Sequence, residues 1–285
     1  MRGLLVAIGK ILCFVAIWAA LLTAVAAIMA VNQSWSRNSL WFAEIGGAIS
    51  ALAALAFMAL VVDKRRLASL GFTLDERIVG LLAGTLLGAA MLCAPLGLLV
   101  VMGAAQLAPD LGSFSSQGLA FGLLLCFLVV LKQEVLVRSY IFQEVWAKYG
   151  AVAALAVTTI LFVVLHAPAI SQGAQGLVAG ANIFLAGVLL GLAYVRTGAL
   201  WLPIGIHMGW NALQGPVLGA GALTFTDGEL RAPWHVFEFS GNPLLMGGES
   251  GVQGGLVGLI GPVLGIAVVM LFVKQRATPD FSRAK

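Results

Sequence analysis

Three residue pairs stand at helical spacing inside otherwise apolar stretches: Glu134 with Arg138, Phe162 with His166, and His207 with Asn211. Residues four apart share one face of a helix, so each pair presents its side chains together. An ionisable group inside a membrane-spanning helix costs roughly 2.5–3.5 kcal/mol to insert and therefore needs a partner or a purpose. One purpose is hydrolysis. A carboxylate such as Glu134 takes a proton from water, and an imidazole positions that water or shuttles the proton. An asparagine amide or a second histidine donates to the developing oxyanion. Glu134, His166 and His207 are also a set that can hold zinc with an open position, although no His-Glu-x-x-His motif forces a metal. The plainer reading makes Glu134–Arg138 an intrahelical ion pair and has the histidines bond neighbouring backbone.

Positioning such groups falls to long apolar helices. The chain has 285 residues, 61% hydrophobic and 10% charged, with a mean hydropathy of +1.02. No water-soluble core could hide that much apolar surface, so the expected fold is an all-α, polytopic integral membrane protein in one domain, 1–285. At about 20 apolar residues per crossing, about eight transmembrane helices are expected to enclose an intramembrane cavity. They read as Leu4–Val31, Trp41–Val62, Ile78–Leu107, Gly118–Lys148, Ala151–His166, Leu177–Val195, Ala199–Leu213 and Gly254–Val273. The first is too long for the core of a cleaved leader. Residues 118–213, helices four to seven, carry all three pairs. Glu134 lies ~21 Å along its helix from Lys148 and His166 ~22 Å from Ala151, while His207 lies ~14 Å from Gly198, depths that tilt can reconcile in one cavity.

Charge sets the expected orientation. With the N-terminus in the cytosol, that side receives twelve basic residues from Arg2 to Lys285, against only Arg37 and Arg231 on the other side. This asymmetry predicts cytosolic N- and C-termini. The net charge of +4 comes with no basic cluster interleaved with aromatics, so nucleic acid is not an expected partner; the lipid bilayer is. Cys13, Cys93 and Cys126 stand singly in apolar runs and read as packing residues. A proton-coupled transporter would be expected to show an inverted repeat, and none is visible.

Taken in order, Gln133-Glu134-x-x-x-Arg138, Phe162-x-x-x-His166 and His207-x-x-x-Asn211 resemble the three motifs of the CAAX-prenyl-protease and bacteriocin-processing family (CPBP, or Abi), whose pattern is Glu-Glu-x-x-x-Arg, Phe-x-x-x-His and His-x-x-x-Asn/Asp. The stretch His207–Gly215 is similar to a bacterial branch. The resemblance implies an eight-helix intramembrane endopeptidase of the bacterial inner membrane, often described as a metalloprotease, acting on a membrane-embedded or lipidated peptide or protein. It also implies catalytic roles for Gln133, His166, His207 and Asn211, with Glu134, Arg138 and Phe162 in support. In that scheme the first glutamate of the pair and its histidine partner activate water, and the third-motif histidine and asparagine hold the oxyanion.

Gln133 departs from the pattern. An amide has no proton-accepting carboxylate, and adjacent helix residues point ~100° apart, so Glu134 cannot take its place without rotating the helix. Three readings follow: an introduced inactivating substitution, a natural pseudoprotease, or Glu134 as base in a rearranged site. The rival to an enzyme is an inactive membrane peptide-binding, immunity or scaffold protein using the same cavity. Of the remaining polar residues, Glu144 reads as a cytosolic surface charge, His235 as a loop residue, and Lys132 as either snorkelling or paired with an acidic neighbour.

Overall fold

The computed structural model describes residues 2–31, 39–75, 77–108, 115–170, 173–219, 236–248 and 251–276. His235, Arg37, Arg231, Arg283 and Lys285 lie outside the described residues. In chain order the elements are α1 (Arg2–Val31), α2 (Ser39–Phe57), α3 (Arg77–Val101), β1 (Ala105–Leu107), α4 (Ser116–Glu134), α5 (Phe142–Leu165), α6 (Ala167–Ile170), α7 (Gly173–Thr197), α8 (Trp201–Ala212), β2 (Phe237–Phe239), α9 (Pro243–Met246) and α10 (Ile260–Phe272).

The all-α class holds, with one small addition, but the expected count of about eight transmembrane helices does not. Among the described residues only five helical stretches are long and apolar enough to cross a membrane: Leu4–Val31, Phe42–Val62, Arg77–Val101, Ser116–Leu165 and Gly173–Thr197. The expected fourth and fifth helices are one run of 50 residues. In it α4 passes through a π-helical turn, Val135–Ile141, into α5, and the chain departs from helical geometry only at Gly150, with φ 83° and ψ 168°. The expected seventh helix is the 12-residue α8, and the eighth is the 13-residue α10, both below the ~20 residues of a crossing. The first runs on only through a π-helical turn, Leu213–Val217, and Gly254, Gly255 and Gly258 leave the run before α10 in short 3-10 turns. The third helix stops at Val101, and Ala105–Leu107 instead pairs antiparallel with Phe237–Phe239, Gln106 facing Glu238.

The closest packing joins α3 to α8. On α3, Gly80, Gly84 and Gly88 recur every four residues, and on α8 so do Gly205 and Gly209. A Cβ at Gly84, Gly88, Gly205 or Gly209 would meet the backbone of the facing helix, so these helices touch main chain to main chain. His207 lies midway between Gly205 and Gly209 in sequence, about 200° around the helix from either, and so points away from α3. Trp201 at the start of α8 donates through Nε1 to the Thr73 carbonyl at 2.5 Å, and Leu200 N–H donates to the Gly71 carbonyl at 2.9 Å. Gly71 holds φ 97° there with Leu200 and Tyr194 packed against it, a conformation and a closeness that exclude a side chain.

One end of the molecule is tied by polar contacts. Lys10 bonds Asp63 at 2.6 Å and reaches Glu144 at 3.5 Å, and the Tyr140 hydroxyl donates to Asp63 at 2.8 Å. Arg65 donates to Gln143, which donates in turn to the Ser69 carbonyl and to Tyr194. Arg196 then bonds the carbonyls of Met270 and Val273, closing the C-terminal end of α10. Glu144, expected as a surface charge, is therefore a buried member of this cluster. Lys132 pairs with Glu44 of α2, which settles its two readings in favour of an ion pair.

Candidate active site

Glu134 ends α4, and its side chain is fully buried. Its Oε1 accepts from Arg138 Nη1 at 3.1 Å and from His207 Nδ1 at 2.8 Å. Arg138, also fully buried, lies with its guanidinium carbon 4.1 Å above the Phe162 ring centre. That ring stands between the two histidines, 4.5 Å from the His166 ring and edge-on at 5.7 Å from His207. His166 caps the C-terminus of α5, where its Nδ1 meets the Phe162 carbonyl at 2.7 Å. A chain of contacts thus links all three motifs, Glu134 to Arg138 to Phe162 to His166, with His207 closing it through the carboxylate.

These partners assign the imidazole tautomers. The Phe162 carbonyl can only accept, so His166 carries its proton on Nδ1 and offers Nε2 as a lone pair. The Glu134 carboxylate likewise takes the Nδ1 proton of His207, leaving Nε2 as that ring's working edge.

Beside this chain lies a cavity of about 200 Å³ walled by α3, α4, α5, α7, α8 and the 252–262 segment. Gln133, Phe162, His166, His207 and Asn211 all line it, and Met91, Leu189, Leu190, Ile206 and Trp210 supply apolar wall. Glu134 does not line it. The one-residue offset that separates Gln133 from Glu134 turns the amide into the cavity and the carboxylate behind it, against Arg138 and His207. Gln133 Oε1 is buried with no hydrogen-bond partner among the described residues, as are Glu134 Oε2 and Arg138 Nε and Nη2.

The residues do not fit zinc as a Glu134–His166–His207 site. Among the described residues no three His, Cys, Asp or Glu side chains are grouped to hold a metal ion. Glu134 stands behind the cavity that His166 and His207 line, with Oε1 against Arg138 and His207.

Two further polar residues line the cavity that the motif reading passed over, Asn182 and Gln253. Asn182 has a legible signal, a lone amide in the middle of the apolar run Leu177–Val195. Gln253 has none, since it sits in a glycine-rich connector where amides are common.

Comparison with protein families matches residues 115–213 to the type II CAAX prenyl endopeptidase Rce1-like family. Residues 115–213 belong to this family. The matched span begins at Ser115, whose side chain caps α4 by accepting from Gly118 N–H at 3.0 Å, and ends just after Asn211. It therefore contains all three motif pairs. No curated protein and no solved structure matched the chain.

Proposed function

We propose that this chain is an intramembrane endopeptidase that hydrolyses a peptide bond in a membrane-associated or lipidated segment, using imidazole rather than carboxylate at the water. The observation that carries the reading is the pair of histidines, each tied at Nδ1 and each lining the cavity with Asn211. His166 Nε2 takes the proton as water attacks the scissile carbonyl. Gln133 Oε1, the unpartnered acceptor, accepts the water's other hydrogen and so aims its lone pair. Asn211 donates its amide to the oxyanion, and the Glu134 carboxylate holds the His207 ring in place through Nδ1. His166 then returns its proton to the leaving amine. Arg138 holds Glu134 in place, and Phe162 packs against both rings.

A second reading rests on the lack of any carboxylate among the described residues lining the cavity. In it the chain binds a membrane peptide without cutting it, as an immunity or scaffold protein would. Purified full-length protein, Gln133→Glu, Glu134→Ala and His166→Ala, assayed against a panel of transmembrane and lipidated peptides, separate the two. The peptidase reading expects cleavage that rises at least about tenfold in Gln133→Glu, where a carboxylate replaces the amide, and that is lost in His166→Ala. Silence of Gln133→Glu across the panel favours the binding reading.

The polar end carrying Lys10, Arg65 and Arg196 faces the cytosol in this proposal, with both ends of the described chain on that side of a bacterial inner membrane. Support comes from the contacts that bring Lys10, Asp63, Glu144, Arg196 and Val273 to one end and from the basic residues concentrated there.

A further inference from the structure

Asn182 is 5% exposed, lines the cavity, and has its Nδ2 unpartnered among the described residues. An amide donor buried without an acceptor costs about 1–3 kcal/mol, and a leucine at this position of α7 would avoid that cost. Gln253, on the turn Val252–Gly254 that packs directly on α7, faces the same cavity. Gly258 packs closely against Asn182: a Cβ there would lie 3.1 Å from Asn182 Nδ2 and would also strike the Val252 carbonyl. This wall therefore presents two amides to the cavity. A side-chain amide offers a donor and an acceptor, the complement of a backbone peptide group.

We propose that Asn182, with Gln253 beside it, forms a subsite for the substrate main chain, in which Asn182 Nδ2 donates to a backbone carbonyl next to the scissile bond. The inference rests on the peptidase reading for the identity of the occupant, an extended polypeptide. Extended backbone presents the carbonyl and N–H of one residue to the same side, so Asn182 can take the carbonyl while Gln253 Oε1 accepts the N–H. Recognition of this kind reads backbone and leaves side-chain sequence free. Asn182 is a substrate-binding residue in this scheme and takes no proton.

The test uses the full-length protein in detergent and a fluorophore-labelled farnesylated CAAX-type peptide, with Kd from anisotropy and KM and kcat from cleavage. Asn182→Leu is the variant, since it keeps volume and removes the buried unpartnered amide. The expected result is a thermal midpoint equal to or above that of the unaltered protein, Kd and KM raised about tenfold, and kcat within about threefold. A second peptide replaces the carbonyls flanking the scissile bond by methylene. It should bind the unaltered protein about tenfold more weakly than its parent and bind Asn182→Leu no worse than its parent does. Unchanged Kd and KM in Asn182→Leu, or an equal loss for the methylene peptide in both proteins, overturns the subsite and leaves the peptidase reading standing. Asn182-dependent binding with no cleavage, even in Gln133→Glu, overturns the peptidase reading and leaves the subsite. Absence of binding to the unaltered protein overturns both.

Discussion

Glu134 has its oxygen bonded to both Arg138 and His207, so three residues far apart in role share one electrostatic unit. Removing one member of a buried ion pair strands the other charge, at a cost of about 3–5 kcal/mol. Arg138→Leu is accordingly expected to lower the thermal midpoint of the purified protein sharply, whereas Arg138→Leu combined with Glu134→Leu recovers much of the loss; a double-mutant cycle measured by thermal unfolding checks this. Phe162→Leu should keep the fold but loosen both rings, lowering kcat more than it raises KM in a cleavage assay, because the aromatic spacer stands 4.5 Å from one imidazole and 5.7 Å from the other. Metal analysis bears on the same residues. Purified protein is expected to hold far less than one zinc per chain at this site, and a full equivalent that disappears in His166→Ala would overturn the reading that these residues do not fit zinc. At this scale the motif residues were legible in sequence because helical spacing places i and i+4 together. The division of labour between Gln133 and Glu134 was implied by the family resemblance alone; the residues themselves left it open, because it depends on which way α4 is rotated against α8.

Among the elements, α8 is only 12 residues long yet carries His207 and Asn211, and its place is fixed by glycines rather than by length. Without a hydrophobic drive between helices in lipid, close backbone approach through small residues supplies the packing. Gly88→Leu on α3 and Gly209→Val on α8 are therefore expected to force the helices apart and to abolish peptide cleavage and peptide binding together. Gly97→Ala, where a Cβ would meet nothing within 4 Å, should leave both unchanged. Peptide anisotropy and cleavage on the three variants check the contrast. The four-residue glycine repeats were readable in the sequence. Their pairing was not, since more than a hundred residues separate Gly88 from Gly205 and only the folded chain brings them together.

For the whole molecule, the polar contacts joining Lys10, Asp63, Glu144, Arg65, Gln143, Tyr194 and Arg196 gather the ends of α1, α2, α5, α7 and α10 at one face. Reporter domains fused at the two termini are expected to give the same, cytosolic, signal; opposite signals would overturn the proposed orientation. The correction from about eight membrane-length helices to five belongs at this scale too. Hydropathy counts apolar residues and can find each apolar run, but Ala151–His166 joins the preceding helix across Gly150, while α8 and α10 are too short to cross by themselves.

The sequence by itself determined that this chain lives in a membrane, is built of helices, and carries three spaced motifs, because composition and i,i+4 periodicity are local properties that survive without coordinates. Tertiary structure alone decided that Gln133 faces the cavity while Glu134 stands behind it, that each histidine is held at Nδ1, and that Asn182 joins them. Those facts depend on helix rotation and on contacts between residues as far apart as Glu134 and His207, and no local pattern encodes them.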